Sequence, residues 1–366
     1  MKLENNNFHE EFKLNNISFS SIDELLTYSR VFSEEIHSFL EDWFSEKEFV
    51  LVQTSGSTGT PKLIQLQKKQ MQNSAVATGN FFNLKEKTTA LLCLPVAYIA
   101  GKMMLVRALS LGWHLDVVES NANPLKECSK VYDFSAMVPL QVENSIEKLH
   151  QVKKLIVGGG VVSTQLQEKL QTIATEFYAT YGMTETITHI AVKKLNNFTV
   201  SQLSETRESL YKGSYQTLPN TVIYIDERNC LVISNKKVSD EIIFTNDVVK
   251  LISDTQFEWL GRFDNVINSG GIKLHPEKIE EKLAKIIAHR FFVAGISDEV
   301  LGDKLVLIIE LEDSKSNYKS LLVDEIKGLK SLSKFERPKE IYFTSNFVET
   351  KTKKIQRKQT LDLIRL

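Results

Sequence analysis

The residues best suited to chemistry lie in one short polar stretch, TSGSTGTPK at positions 54–62, which follows the apolar run Phe49–Val52. A stretch with so few apolar side chains contributes little to packing, so its place after a strand-like run suggests another role. Glycine, serine and threonine can present backbone N–H groups and hydroxyls to phosphate oxygens, and a lysine adds a cation. The stretch therefore predicts a phosphate-binding loop, with a solvated turn as the alternative.

The stretch does not fit the Walker A pattern, G-x-x-x-x-G-K-[ST]. From Gly56 the sequence reads GSTGTPKL, so Pro61 takes the place of the second glycine. Leu63 takes the place of the Ser or Thr that would bind Mg²⁺. These two departures argue against a P-loop nucleoside triphosphatase.

The bulk composition is typical of a globular protein. The chain has 366 residues, so at about 150 residues per domain two or three domains are expected. The net charge of −1 gives no reason to expect nucleic-acid or membrane-surface binding. The N-terminus has no signal-like apolar stretch, and no window reaches the roughly 18 apolar residues of a membrane span. With its three cysteines interpreted as free thiols, the protein is expected to be cytoplasmic.

The elements that must position the polar stretch alternate in type over the first part of the chain. Short β-rich runs are predicted as strands at Phe49–Gln53, Ala90–Leu94, Leu115–Glu119, Phe134–Val138 and Leu155–Val157. Between them, helical spacing predicts helices at Lys68–Phe82, Gly101–Leu111, Leu140–Leu149 and Thr164–Thr175. This alternation favours an α/β fold with a parallel sheet.

The spacing of the apolar runs changes from about Asn220. Closely spaced apolar runs (TVIYID, CLVISN, VVKLIS and FEWLG) predict antiparallel strands. After Gly261 a small α+β region is expected, opening with a helix from His275-Pro276 through Ala288. Its strands are predicted at FFVAGIS, KLVLIIEL and KEIYFT, with a helix near Leu321–Leu332. The joint between the two regions is expected close to Arg262–Asn265.

Five motifs in order give the chain a family resemblance. TSGSTGTPK resembles the phosphate-binding signature of the acyl-adenylate-forming enzymes, which include acyl-CoA synthetases, luciferases and peptide-synthetase adenylation domains. The other four motifs are YGMTET (181–186), TNDVVKL (245–251), GRFDNVINSGGIKLHPEKIE (261–280) and TKTKKIQRK (350–358). Together they span positions 54 to 358 and cover nearly the whole chain.

The resemblance implies a two-part architecture. Residues 1–262 would form a large α/β AMP-binding domain with a parallel sheet plus antiparallel strands. Residues 265–366 would form a small, mobile α+β domain that rotates about a hinge at Asp264. Only 53 residues precede the phosphate motif, so the N-terminal part is expected to be a truncated version of the family's.

The resemblance also implies an ATP-dependent reaction in two halves. A substrate carboxylate would attack the α-phosphate of ATP to give acyl-AMP and pyrophosphate, and the thiol of coenzyme A would then displace AMP. The first half depends on stabilising phosphate charge more than on acid–base chemistry. The residues implied to hold the phosphates are Thr54, Ser55, Gly56, Ser57, Thr58, Gly59 and Lys62.

Other motif residues would hold the rest of the nucleotide and a metal ion. Tyr181, beside Gly182, would stack on adenine, and Thr184 would reach the α-phosphate. Glu185 would bind Mg²⁺, since a hard carboxylate suits a hard cation. Asp247 and Arg262 would contact the ribose hydroxyls. The stretch GGGVVS resembles the segment that lines the adenine and acyl pocket, and its glycines are Gly158, Gly159 and Gly160.

Two positions depart from the family pattern. Asn246 replaces the glycine before Asp247, a mild change because asparagine tolerates positive φ. Lys353 replaces the glycine before Lys354, which matches the catalytic lysine through the following Ile355, Gln356 and Arg357. A solvated basic tail and a nucleic-acid patch are the alternatives for this segment, although the second has no interleaved aromatic residues.

The acid itself is less well defined by the motifs. LPVAYIAGKMM (94–104) resembles a segment in which Tyr98 would gate the acyl site, with a core tyrosine as the alternative. Gly270 and Gly271 would also line the acyl and coenzyme A site. The compact chain suits the o-succinylbenzoate–CoA ligases of menaquinone biosynthesis, whose substrate carries a second carboxylate. Lys102 and Arg107 are candidates to bind that carboxylate, although a surface charge is the commoner role for each.

Three hypotheses follow for the function. The first is an o-succinylbenzoate–CoA ligase, and the second is a ligase for another aryl or short fatty acid. The third is a carrier-loading adenylation module or an inactive homologue. Lys354 and Glu185 are both present, which argues against an inactive homologue.

Overall fold

The structure is a computed structural model that describes residues 8–53, 63–196, 213–311, 316–350 and 355–364. In these ranges the strands form a sheet of thirteen, a sheet of five and a separate two-stranded hairpin. Among the helices described, none is long and apolar enough to cross a membrane.

The centre of the large sheet is parallel, as the alternating pattern predicted. Its five strands lie in the spatial order β6-β5-β7-β8-β9. Phe134 and Phe177 from these strands, with Trp113, are fully buried and fill the space between sheet and helices. The strands are β5 (Thr89–Leu92), β6 (His114–Val117), β7 (Tyr132–Met137), β8 (Val152–Val157) and β9 (Glu176–Gly182).

Helices connect these strands. They are α3 (Lys68–Phe82), α4 (Ile99–Leu111), α5 (Pro139–Asn144), followed by a 3₁₀ helix (Ile146–Gln151), and α6 (Thr164–Leu170). The helix predicted at Thr164–Thr175 ends at Leu170 instead. Asn196 holds the residues that follow in another conformation. The buried Asn196 side chain donates to the carbonyls of Leu170, Ile173 and Thr175 at 3.1, 3.2 and 2.8 Å, which holds this segment outside helical geometry.

The strand before the polar stretch was predicted to belong to the parallel sheet, and that prediction is wrong. β3 (Phe49–Gln53) pairs antiparallel with β4 (Leu63–Gln67) in a hairpin of its own. Val50 and Val52 are buried, whereas Leu51 between them is 48% exposed. The alternation is that of a strand with one covered face. Gln53 pairs with Leu63, so the two ends of the segment 54–62 lie side by side.

The N-terminal elements extend one edge of the large sheet. β1 (Lys13–Leu14) pairs parallel with β6 and antiparallel with β2 (Ile17–Ser18). Two helices follow, α1 (Ile22–Phe32) and α2 (Glu34–Phe44). Ser21 and Ser33 cap them by accepting hydrogen bonds from the backbone N–H groups of Glu24 and Ile36.

The other half of the large sheet is antiparallel, as the runs after Asn220 predicted. Its order continues from β9 as β10-β11-β15-β14-β13-β12. β10 and β9 pair antiparallel, so the sheet changes direction between them. The strands are β10 (His189–Lys194), β11 (Tyr215–Thr217), β12 (Val222–Ile225), β13 (Cys230–Ser234), β14 (Ile243–Ser253) and β15 (Gln256–Arg262).

A 3₁₀ helix, Phe263–Asn265, connects β15 to the five-stranded sheet. That sheet contains β16 (Ile267–Ser269), β17 (Ile272–Leu274), β18 (Phe291–Asp298), β19 (Gly302–Glu310) and β20 (Glu340–Thr344). Its helices are α7 (Pro276–Leu283), α8 (Ser316–Gly328) and α9 (Arg357–Ile364). The change of sheet fits the expected joint, while the domain boundaries at 262 and 265 stay a prediction.

The predicted extent of α7 needs one correction. The helix begins at Pro276 as expected but ends at Leu283 rather than Ala288. The N–H groups of Ile286 and Ile287 both bind the carbonyl of Leu283. This tight turn buries Ile287 in the core of the small sheet.

Gly101 fixes where α4 starts, and this contact can be tested. A Cβ at Gly101 would lie 2.3 Å from the carbonyl oxygen of Pro95, a backbone atom that cannot swing away. Gly101→Ala should therefore lower the free energy of unfolding by about 1–3 kcal/mol, as overpacking does. Gly328→Ala is the matched control, because a Cβ there meets nothing within 4 Å. Urea unfolding in which both variants behave alike would contradict this packing.

Candidate active site

The candidate site lies at the carboxyl ends of the parallel strands, where ligands bind in open α/β sheets. Gly158, Gly159 and Gly160 follow β8 directly. A Cβ at Gly158 would lie 2.5 Å from the Thr180 hydroxyl of β9, and Gly159 has a φ of +77°. Both positions therefore require glycine, which leaves an open rim beside the end of β9.

The motif YGMTET forms the end of β9 and the turn after it. A Cβ at Gly182 would lie 2.2 Å from the carbonyl oxygen of Thr188, so only glycine fits there. Thr184–Thr186 is a 3₁₀ helix. The buried Thr186 hydroxyl accepts from the Met183 N–H at 3.0 Å and donates to the Thr188 carbonyl at 2.7 Å. Glu185 is exposed at the tip of this braced turn.

Ile187 gives this turn an unusual backbone, which sequence reasoning missed. Its φ of 66° and ψ of −60° are rare for a β-branched residue. The Thr188 N–H binds the Thr186 carbonyl at 2.8 Å, which makes this a γ-turn of the positive-φ form. Such a conformation costs on the order of 1–3 kcal/mol. The Ile187 side chain is fully buried, so packing holds the turn that carries Thr184 and Glu185.

The Asp247 carboxylate is the centre of a hydrogen-bond network. It accepts from the Tyr181 hydroxyl at 2.7 Å, from Trp259 Nε1 at 3.1 Å and from Arg262 at 3.5 Å. Burial raises the pKa of Tyr181 well above its usual value, and the Asp247 charge adds to this rise. Tyr181 therefore stays protonated and donates. The structure brings the three predicted residues together, and Trp259 is a partner that the motifs did not indicate.

Aromatic packing fixes the ring of Tyr181. The rings of Tyr215 and Phe257 meet it edge-on, with centroid distances of 5.8 and 5.1 Å. These two rings come from β11 and β15, so both belong to the antiparallel half of the sheet. These contacts hold the ring at the carboxyl end of β9.

Asn246 and Asp264 belong to a second polar network. Asn246 lies within β14 and is not among the residues with positive φ, so the conformational reason expected for this asparagine is wrong. Its side chain instead donates to Asp264 at 3.1 Å and accepts from Arg228 at 3.0 Å. Arg228 had no motif to mark it. The exposed Asp264 is thus tied to the large sheet by the Asn246 side chain, which glycine lacks.

The three acyl-site candidates occupy different environments around α4. Tyr98 immediately precedes the helix and is 47% exposed, which rules out the core tyrosine alternative. Lys102 places Nζ 4.9 Å from the ring centroid of Phe39 in α2. Burial lowers the pKa of Lys102, and nearby Asp42 and Glu35 oppose that shift. The Lys102 side chain is therefore already engaged by α2.

Arg107 is the most unusual charge in the described part of the chain. Only 1% of the residue is exposed, so it is not a surface charge. Its one hydrogen-bond contact is to the Met104 sulfur at 3.7 Å, and Nε and Nη2 have no partner among the described residues. Burial lowers the pKa of Arg107 to about 9, so it stays charged at neutral pH. A buried charge without an acceptor is costly, which indicates a site for an anion.

A buried histidine lies close to Arg107. His189 begins β10, and its Nε2 lies 3.5 Å from the Thr78 hydroxyl of α3. Burial, with the Arg107 charge added, lowers the pKa of His189 well below its usual value. His189 is therefore neutral, and Arg107 is the charged member of this buried pair.

Several expected site residues fall outside this description or at its edges. Thr54, Ser55, Gly56, Ser57, Thr58, Gly59, Lys62, Lys353 and Lys354 lie outside the described residues. Gly270 and Gly271 form the two-residue turn between β16 and β17, with φ of +58° and +79°. No group of three or more potential metal ligands occurs within the described ranges.

Comparison with known proteins identifies the family. A family model described as AMP-binding enzyme matches residues 19–237, so the chain belongs to the AMP-binding enzyme family. The 2-succinylbenzoate–CoA ligase of Geobacillus sp. (strain WCH70) is 24% identical, covering 90% of this chain and 72% of the relative. The protein of the same name from Haemophilus influenzae is 25% identical, covering 90% and 74%.

Solved structures share the fold. An acyl-CoA synthetase (AMP-forming)/AMP-acid ligase II-like protein from Dyadobacter fermentans is 37% identical, with a TM-score of 0.57 over 90% of this chain and 93% of the other. The o-succinylbenzoate CoA synthetase of Bacillus subtilis, in complex with its acyl-adenylate, is 19% identical. Its TM-score is 0.68 over 84% of this chain and 68% of the other. The expected α/β adenylate-forming fold is confirmed.

The unpaired state of Arg107 predicts a gain in stability when the charge is removed. Arg107→Met keeps an unbranched side chain of similar length and removes a buried cation. The free energy of unfolding of the ligand-free variant should exceed that of the parent by about 1–4 kcal/mol, the range found when apolar side chains replace buried ions. Chemical denaturation without substrates measures this.

Arg228→Met is the matched control, because Arg228 binds Asp226 and Asn246 and should gain nothing. If Arg107→Met lowered the free energy of unfolding as much as Arg228→Met does, Arg107 would have a counter-charge in the ligand-free protein.

Proposed function

We propose that this chain is an AMP-forming acid–CoA ligase whose acid is 2-succinylbenzoate. Membership in the AMP-binding enzyme family supports the two-step reaction through an acyl-AMP. The observation that carries the choice of acid is the buried, unpaired guanidinium of Arg107. A ligase for a dicarboxylate must activate one carboxylate and bind the other, and the second needs a cation.

The substrate assignment has two independent supports. Relatives that cover 90% of this chain carry the name 2-succinylbenzoate–CoA ligase. Arg107 also suits the ligand, because a planar guanidinium binds a carboxylate through two parallel hydrogen bonds. Lys102 is the weaker candidate, since its ammonium lies over Phe39 and near two carboxylates.

The roles of the nucleotide-binding residues follow the family motifs. Residues 54–62 would bind the β- and γ-phosphates of ATP. Tyr181 would present its packed ring to adenine, beside Gly158–Gly160. Asp247 would accept hydrogen bonds from the ribose hydroxyls, which requires its present donors to move or share. In the network of Asp247, Arg262 makes the longest contact, at 3.5 Å, so it is the donor most easily displaced.

The charge of the phosphates is the main chemical problem of the first half-reaction. Lys62 and Lys354 would supply cations, and Thr184 would donate to the α-phosphate. Mg²⁺ held by Glu185 would supply further charge neutralisation. Removing water from a site of this kind strengthens each of these contacts.

The second half-reaction requires coenzyme A to reach the acyl-AMP. We propose that residues 265–366 rotate about Asp264, which withdraws Lys354 and brings Gly270-Gly271 to the acyl site. Tyr98, exposed before α4, would then separate the acyl site from the thiol entrance. The three cysteines are free in the structure, which fits the reducing cytoplasm proposed for this enzyme.

A ligase for another aryl or short-chain fatty acid is the second candidate. One observation favours it, because the name of the Dyadobacter fermentans protein, which is 37% identical, specifies no acid. A substrate panel separates the two. A preference for a monocarboxylic acid would select this second candidate.

Arg107 should control affinity for the acid without affecting ATP. Arg107→Met should raise the KM for 2-succinylbenzoate by the equivalent of about 2–5 kcal/mol, the usual cost of removing one partner of a buried charge pair. Lys102→Met is the matched control and should change this KM little. Steady-state pyrophosphate release over a range of acid concentrations measures both. Equal losses for acid and ATP would rule out the pairing.

Lys354 should be needed for the first half-reaction alone. Lys354→Ala removes a cation from the developing phosphate charge and should slow acyl-AMP formation on the order of 10²-fold or more. The variant should still convert supplied acyl-AMP and coenzyme A to thioester. Single-turnover kinetics of each half measure this, with Lys353→Ala as the neighbouring control. Domain rotation would be refuted if both halves slowed equally, or if the control showed the same defect.

A further inference from the structure

We propose that Arg357 is a positioning residue, which fixes the segment that carries Lys354 onto α7 and β18. Its role rests on the proposed function, in which Lys354 acts in acyl-AMP formation. Residues 351–354 lie outside the described ranges, so the inference concerns the two fixed ends of that segment.

The two ends of the lysine segment are brought together by backbone contacts. Glu349 and Ile355 form an isolated antiparallel bridge. The Gln356 N–H binds the Val348 carbonyl at 2.8 Å, and the Val348 N–H binds the Thr360 hydroxyl of α9 at 3.1 Å. The two residues that flank the segment, Glu349 and Ile355, therefore lie side by side at one point. The placement of that point decides where Lys354 can reach.

Arg357 holds this point through several contacts made in a fixed geometry. It is the first residue of α9 and lies two positions after Ile355. Its guanidinium binds both carboxylate oxygens of Glu280 in α7 at 2.9 Å, and it donates to the Val293 carbonyl of β18 at 2.9 Å. The guanidinium also lies 5.8 Å from the ring centroid of Phe292. Lysine could keep one charged contact with Glu280 but not this two-pronged geometry.

The same guanidinium reaches the hinge through Glu277. Arg357 lies 3.6 Å from Glu277 Oε1, and the Asn265 side chain donates to that same oxygen at 2.5 Å. Asn265 ends the 3₁₀ helix at the expected hinge. Arg357 and Asn265, which lies beside the proposed hinge, are thus both held by carboxylates of one helix, α7. Rotation at the hinge would carry the lysine segment with it as a unit.

Loss of Arg357 should loosen this attachment without unfolding the protein. Burial raises the pKa of Glu280 to about 7, while Arg357 opposes that rise. Without Arg357 the Glu280 carboxyl can take up a proton, which removes an unpaired buried charge. In the parent protein the Val293 N–H donates to Glu280 at 2.7 Å, and this hydrogen bond can remain in the variant. The expected defect is therefore in the reach of Lys354 and not in folding.

The test compares Arg357→Gln, Arg357→Lys and the control Lys282→Gln. Lys282 also lies on α7 and pairs with a glutamate, Glu336, in the stretch between α8 and β20. Arg357→Gln should slow single-turnover acyl-AMP formation by about 10- to 100-fold, as small misplacements of catalytic groups do. The KM for ATP and thioester formation from supplied acyl-AMP should stay near the parent values. Arg357→Lys should recover part of the lost rate.

The outcomes separate positioning from fold maintenance. Equal slowing of both half-reactions, or no recovery in Arg357→Lys, would overturn the inference. So would a rate loss in Lys282→Gln as large as in Arg357→Gln. Failure of the proposed function itself is distinguishable, because the parent enzyme would then form no acyl-AMP from any acid tested.

Discussion

The buried and unpaired positive charge of Arg107 is the constraint on which the proposed site depends. Arg107 lies on α4 with 1% of its surface exposed and with no acceptor oxygen or nitrogen among the described residues. Such a residue lowers the stability of the fold, because removing an unpaired ion from water costs free energy. The charge is explained if the ligand supplies the missing carboxylate. Neutral His189 beside it leaves the field of Arg107 uncompensated.

Asp247 joins the two halves of the large sheet. Its carboxylate joins Tyr181 at the end of the parallel half to Trp259 and Arg262 in the antiparallel half. Arg262 immediately precedes the 3₁₀ helix that contains Asp264, so the proposed nucleotide site and the proposed hinge share one network. Binding of a ribose at Asp247 would therefore change contacts at the hinge. Asn246 and Arg228 add a second link to the same hinge residue.

Sequence patterns predicted the α/β core, the antiparallel half and the small sheet, because burial periodicity is local. They missed features that depend on distant partners. Asn196 shortens a helix through bonds to three carbonyls, and β3 pairs with β4 instead of the parallel sheet. Motifs identified Tyr181, Asp247 and Arg262 but not Trp259, which comes from an ordinary strand. Nothing in the local pattern distinguished Arg107 from Lys102, since burial of a cation is set by packing.

The most direct measurement is a crystal structure with 2-succinylbenzoate and a non-reactive ATP analogue bound. The ligand's free carboxylate should lie in two charge-assisted hydrogen bonds with the Arg107 guanidinium, at about 2.7–2.9 Å. The other carboxylate should face the α-phosphate. A structure in which the acid binds with Arg107 still unpaired, or with its free carboxylate held by Lys102, would contradict the central claim that Arg107 selects the acid.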